Sequence, residues 1–184
     1  MKIAILAGGK SSRFGRDKAE IFLPLVVEAC RPAGLPIVVV GHIRIPSIAS
    51  DVTFLPDALP GQGPLGGIVT LFREVSEPVL LLACDLPDLR YDAIAWLLES
   101  WQAHSEASGL VVARIDKGDI HLEPLFAIYS PACLELAEDM LRGGKRSMHH
   151  LLERMGVAKI PLPDAMIPQL RNVNTPDTII ASSA

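Results

Sequence analysis

A three-layer α/β/α sandwich built on a mostly parallel, Rossmann-like sheet is the fold class this sequence predicts. Short continuous apolar runs recur along its 184 residues and end in Gly, Asp or Pro. They lack strict polar alternation, as strands buried on both faces of a parallel sheet do. Segments with helical spacing lie between them, and strand, loop, helix, strand repeated in this way requires crossover connections.

Taken in order, the runs at 2–7, 36–41, 52–55, 78–84 and 109–115 read as strands. A helix is predicted over 24–31, with Pro24 at its first position, where the missing N–H costs nothing. Residues 66–75 and 131–141 have helical spacing, and 91–104 carries Ile94, Leu97, Leu98 and Trp101 on one face. The turn Asp116-Lys117-Gly118-Asp119 leads into 120–129, a further strand read as antiparallel. Gly143-Gly144 ends one helix, 147–155 forms another, and the Pro-rich stretch 161–168 reads as a surface excursion before a short tail. No linker, repeat or low-complexity segment interrupts the chain, so residues 1–184 are expected to form a single domain.

Composition supports a well-filled core, with 49% hydrophobic and 21% charged residues and a mean hydropathy of +0.34. The formal net charge of −4 offers no general field for nucleic acid. The opening apolar run stops at Gly8-Gly9, too short for a signal segment or a membrane span, and the expectation is a cytoplasmic protein without membrane contact. Cys30, Cys84 and Cys133 are odd in number and far apart, which argues against a disulfide framework and for core positions.

Against that acidic background the loop after the first strand carries Lys10, Arg13, Arg16 and Lys18 against a single carboxylate, Asp17. Cations concentrated on a glycine turn signal an anionic ligand. Two common phosphate motifs fail here. Gly9-Lys10-Ser11 imitates the end of a Walker A loop, but the earlier glycine it requires falls at Ala4, inside the strand; the dinucleotide pattern G-x-G-x-x-G fails because Lys10 follows Gly8-Gly9.

Three later segments have the same flavour. Asp57 to Gly67, DALPGQGPLGG, is a glycine-dense strand-to-helix junction, which brings backbone amides and a helix N-terminus close to a ligand, or simply permits tight turns and close packing. Asp85 ends the buried run LLLAC, a rigid position suited to a Mg²⁺ ligand, while Asp88 and Asp92 are better placed to cap the next helix. Asn172-Val173-Asn174-Thr175-Pro176 alternates two amide side chains on an extended stretch, which suits hydrogen bonding to a heterocycle edge; alternatively Thr175 caps a helix beginning at Pro176.

The longer pattern Leu6-Ala7-Gly8-Gly9-x-Ser11-x-Arg13-x-Gly15-x-Asp17-Lys18, followed in order by those three segments, resembles the nucleotidyltransferase fold and, in detail, the molybdenum cofactor guanylyltransferases of the MobA type. The resemblance spans nearly the whole chain. It implies transfer of GMP from GTP to the terminal phosphate of molybdopterin, with or without molybdenum, and release of pyrophosphate. It also implies Mg²⁺ as cofactor, with GTP, molybdopterin and other proteins of cofactor synthesis or use as partners. Carried over position by position, it implies Arg13, Lys18 and Asp85 as catalytic residues, with Asp85 the metal ligand. Leu6, Ala7, Gly8, Gly9, Lys18, His42, Asp57, Gly66, Asp85, Asn172 and Asn174 would bind the substrates. Glu123-Pro124-Leu125-Phe126-Ala127 resembles a family strand, read as core with a share in the acceptor pocket.

There are two departures from the pattern: the segment after Lys18 is several residues shorter than usual, and His42 follows Gly41 where the family often has Asn. Three alternatives stand beside the guanylyl reading. A related enzyme would transfer CMP, although that branch more often has Pro where Asp17 stands. A nucleotide-binding module would bind without transfer, and a GTPase would release orthophosphate. None of His104, His121, His149 or His150 sits in a familiar metal-ligand spacing.

Overall fold

The computed structural model describes residues 1–8, 18–41, 45–48, 50–104 and 106–173, with Lys18 described by its backbone alone. Along the chain, β1 (Lys2–Leu6), α1 (Lys18–Cys30), β2 (Ile37–Val40) and β3 (Thr53–Leu55) are followed by α2 (Gly63–Glu74), β4 (Val79–Ala83) and α3 (Tyr91–Gln102). Then come β5 (Gly109–Asp116), β6 (Asp119–Tyr129), α4 (Cys133–Arg142), α5 (Met148–Met155) and β7 (Ala158–Pro161).

The strands form one sheet in the order β3-β2-β1-β4-β6-β5-β7. β1 pairs in parallel with β2 and β4, β2 with β3, and β5 with β7, while β6 runs antiparallel between β4 and β5. The antiparallel strand is the one that the sequence places after the Asp116–Asp119 turn.

Successive side chains on each strand point to opposite faces, and the two faces feed separate cores. Ile3, Ile5, Leu80 and Leu82 pack with Leu23 and Val27 of α1 and Ile94 and Leu97 of α3. Ala4, Leu6, Leu81 and Tyr129 pack with Ile68 of α2, Ala137 of α4 and Leu151 of α5. This is the three-layer arrangement predicted above. No helix among the described residues is long and apolar enough to cross a membrane.

Three elements depart from the sequence expectation. α1 starts at Lys18, so Pro24 lies inside it and not at its head. Ala19, Phe22, Leu23, Val26, Val27 and Cys30 are all buried, and that stripe runs straight through the proline. A proline in a helix interior costs about 3 kcal/mol, and burying a Phe or Leu contributes about 1.5–3 kcal/mol, so Phe22 and Leu23 together offset it. α2 likewise begins at Gly63, three residues before the expected start, because Gly63 and Pro64 supply its first turn.

The third departure is at the C-terminal end. β7 adds a strand beside β5, and residues 161–168 are not a plain surface excursion, since Asp164–Leu170 forms a 3-10 helix that ends on buried Gln169 and Leu170. Gln169 accepts from the Arg90 amide at 2.9 Å and donates to both carboxylate oxygens of Asp92 at 3.1 Å. Arg90 occupies the N-cap position of α3 without a side-chain cap, which leaves Asp92 in the first turn and neither expected aspartate as the cap.

Candidate functional site

β1 leads through α1 toward β2 on one side, and β3 leads through α2 to β4 on the other, so the strand order reverses between β1 and β4. A crevice must open beyond the carboxyl ends of strands at such a point. A cleft of about 750 Å³ lies there, walled by Leu6, Gly8, Gly41, Asp57, Asp85 and Leu125. Segments far apart in sequence thus converge because each follows a strand of the same sheet.

The loop backbones meet at the floor of the cleft. The Ala7 amide donates to the Val40 carbonyl at 2.8 Å, and the Gly41 amide to the Leu55 carbonyl at 3.0 Å. Gly41 has φ +92°, and a Cβ there would come within 2.9 Å of both Cα and N of Gly8. That approach requires glycine at position 41, whereas a Cβ on Gly8 would come no closer than 3.6 Å to the Gly41 backbone.

On the β3 side, Asp57 holds its own loop. Its Oδ1 accepts from the Leu59 amide at 2.9 Å and lies 3.2 Å from the Thr70 hydroxyl. Its Oδ2 is 3.9 Å from where a Cβ on Gly8 would sit. The loop then enters α2, and Gly61, Gly63 and Pro64 line the cleft. Gly67 lets α2 approach β1, since a Cβ there would meet the Leu6 Cδ2 at 3.0 Å. Gly66 faces the other way, with the Leu59 carbonyl 3.0 Å from its Cβ position, so its neighbour Gly67 is the one that lines the cleft.

On the β4 side, the Cys84 amide bonds to the Leu6 carbonyl at 3.2 Å. This stitches the strand ends together just before Asp85, and Cys84, half-buried against the core, also lines the cleft, whereas Cys30 and Cys133 are fully buried. Burial pushes the Cys30 and Cys133 thiols up to about 12. The Val173 amide donates to the Asp85 carbonyl at 3.2 Å, which brings Asn172 and buried Val173 beside the end of β4. No group of three or more His, Cys, Asp or Glu among the described residues is arranged to hold a metal. A single carboxylate such as Asp85 fits a small divalent cation that keeps its remaining positions for phosphate oxygens and water.

The far wall is set by an irregularity in β6. Pairing with β5 shifts between Val111, opposite Ala127, and Val112, opposite Glu123. In the intervening bulge Leu125 turns into the cleft while Phe126 stays in the core. The buried Tyr129 hydroxyl donates to the Pro124 carbonyl at 2.9 Å and fixes the bulge. Burial raises the affinity of Glu123 for a proton, against the opposing pull of Arg114, His121 and His149.

Of the residues singled out from sequence, Leu6, Gly8, Asp57 and Asp85 line one cleft, with buried Ala7 joined by its amide to Val40 of the cleft wall and Asn172 next to Val173, whose amide bonds to Asp85. Gly9, Arg13, His42, Asn174 and the side chain of Lys18 lie outside the described residues. Sequence reasoning missed Thr70 and Tyr129, and named Leu125 only within the strand Glu123-Pro124-Leu125-Phe126-Ala127, read as core with a share in the acceptor pocket. Their signal would have been a hydroxyl inside an otherwise apolar helix, and a Pro in mid-strand.

A family model described as the MobA-like NTP transferase domain matches residues 3–159. A Nostoc sp. protein bearing the name "Probable molybdenum cofactor guanylyltransferase" is 35% identical over 190 residues, covering 95% of this chain and 86% of that protein. One of the same name from Methanothermobacter thermautotrophicus is 30% identical, with 96% of each chain covered. Among solved structures, molybdopterin-guanine dinucleotide biosynthesis protein A from Archaeoglobus fulgidus superimposes with a TM-score of 0.78 at 24% identity, over 99% of this chain and 96% of that one. The 2-C-methyl-D-erythritol 4-phosphate cytidylyltransferase of Thermus thermophilus shares the fold, with a TM-score of 0.66 at 14% identity and 98% and 96% of the two chains covered.

Proposed function

The chain belongs to the MobA-like NTP transferase domain family, and from that premise we propose that it transfers GMP from GTP to the terminal phosphate of molybdopterin, releasing pyrophosphate, in molybdenum cofactor synthesis. The observation that carries this reading is the convergence of Gly8, Gly41, Asp57 and Asp85 on one strand-end cleft with the α2 N-terminus at its rim. Such a cleft offers backbone amides and helix-dipole charge to a polyphosphate.

In the reaction, an oxygen of the acceptor's terminal phosphate attacks the α-phosphorus of GTP in line. The new P–O bond forms as the bond to the α,β-bridging oxygen breaks, and pyrophosphate carries away that electron pair. A phosphate monoester has its second pKa near 6 and is largely dianionic at neutral pH, so no general base is required. The protein's task is positioning and charge stabilisation. Gly8 and Gly41 keep side chains out of the phosphate path, and Asp57 lies toward the nucleotide. Arg13 and Lys18 carry, by resemblance, the charge that neutralises the triphosphate. Asp85 would hold Mg²⁺, which when bound draws charge from the phosphate oxygens.

The test is pyrophosphate release with purified protein, molybdopterin and either GTP or CTP. GTP is expected to be preferred, and Asp85→Ala is expected to lower the rate about 10² to 10³-fold. A preference for CTP would overturn the choice of base, and orthophosphate as product would overturn transfer altogether.

A further inference from the structure

Thr70 is one of two buried polar residues among those described, 5% exposed in the middle of apolar α2. A threonine in a helix commonly returns its hydroxyl to the carbonyl four residues back; the one Thr70 hydroxyl proton lies between the Gly66 carbonyl at 3.0 Å and Asp57 Oδ1 at 3.2 Å, and both share it. Its oxygen also accepts from the Ala58 amide at 3.1 Å and lies 3.2 Å from Asp57 Oδ1. Those two contacts span twelve and thirteen residues of chain. One side chain therefore ties the loop after β3 to the helix that follows it.

The consequence for Asp57 is geometric. With Oδ1 engaged by the Leu59 amide and facing Thr70, Oδ2 is left toward Gly8 across the cleft. The loop that bears Gly61 is pressed onto the first turn of α2, where the Leu59 carbonyl sits against Gly66. We infer that Thr70 is a positioning residue for the nucleotide: it fixes the plane of the Asp57 carboxylate and the height of the glycine loop, without touching the ligand itself.

This inference rests on the nucleotidyltransferase reading for what Asp57 faces, so the experiment separates the two. Affinities for GTP, CTP, ATP and UTP are measured by calorimetry for the wild type, Thr70→Val, Thr70→Ser, Asp57→Asn and the Thr70→Val/Asp57→Asn pair, with melting temperatures recorded throughout. Thr70→Val keeps the shape but removes the hydroxyl, and is expected to weaken binding of the preferred nucleotide roughly tenfold, the scale of one hydrogen bond to a charged group. Thr70→Ser keeps the oxygen and should stay within about twofold of wild type. In the Asp57→Asn background the Thr70→Val change should lose most of its effect, because the two act as one unit.

If Thr70→Val melts at a lower temperature yet binds nucleotide as the wild type does, Thr70 only stabilises the fold and the inference fails. Equal losses in both backgrounds would also overturn it, since Thr70 would then act independently of Asp57. A wild type that prefers CTP bears on the guanylyl reading, while the ratio of variant to wild type still decides the role of Thr70. A wild type that binds none of the four overturns both.

Discussion

Gly41 adopts φ +92°, and any side chain there would strike the Gly8 backbone at 2.9 Å. Backbone cannot retreat as a flexible side chain can, so Gly41→Ala is expected to cost about 2–4 kcal/mol. In a domain of this size that is a fall in melting temperature of about 4–16 °C. A change of less than about 2 °C in a thermal melt would show that the strand-end loops are free to separate, contrary to the close packing described. By contrast, Gly8 and Asp85 were legible in the sequence because each stands directly after an apolar run, and Asp57 because it opens the glycine-dense junction that follows β3. Gly41 was visible only as the end of a strand. Its close approach to Gly8 depends on two strands lying side by side.

Elements explain what single residues could not. α1 extends six residues before Pro24 because a buried stripe from Ala19 to Cys30 outweighs the proline, whereas pattern reasoning treats proline as a starting point. The β6 bulge is a similar case: Pro124 in EPLFA signals an irregularity, but that Leu125 is the side chain turned to the cleft depends on pairing with β5 on one side and β4 on the other. Tyr129 holds the bulge through the Pro124 carbonyl, so Tyr129→Phe leaves that carbonyl unsatisfied at a cost of about 1–2 kcal/mol. Hydrogen exchange should then quicken at the Leu125 and Phe126 amides before it does in β1 or β4. Uniform exchange across the sheet would mean that the hydroxyl adds general stability and does not hold the bulge.

At the scale of the whole molecule, the strand order places the ends of β1, β2, β3 and β4 around one opening, and a nucleotide bound there touches segments on both sides of the reversal. Binding to the folded state alone should therefore stabilise the entire sheet. At about 100 times its dissociation constant, GTP with Mg²⁺ adds roughly 2.7 kcal/mol, or about 5–11 °C in melting temperature for a domain of this length. The absence of a shift with GTP, or a larger one with CTP, would count against the guanylyl reading. By itself the sequence determined the layered α/β class, the parallel strands, the antiparallel return after Asp116-Lys117-Gly118-Asp119 and the glycine- and aspartate-bearing segments that follow β3 and β4. Those follow from local periodicity, turn chemistry and motif order, which a single chain records. Tertiary structure alone decided which of those segments meet, how Thr70 braces Asp57, and why Leu125 lines a cleft while its neighbour Phe126 is core. Each of these depends on contacts between residues distant in sequence, which periodicity and spacing do not encode.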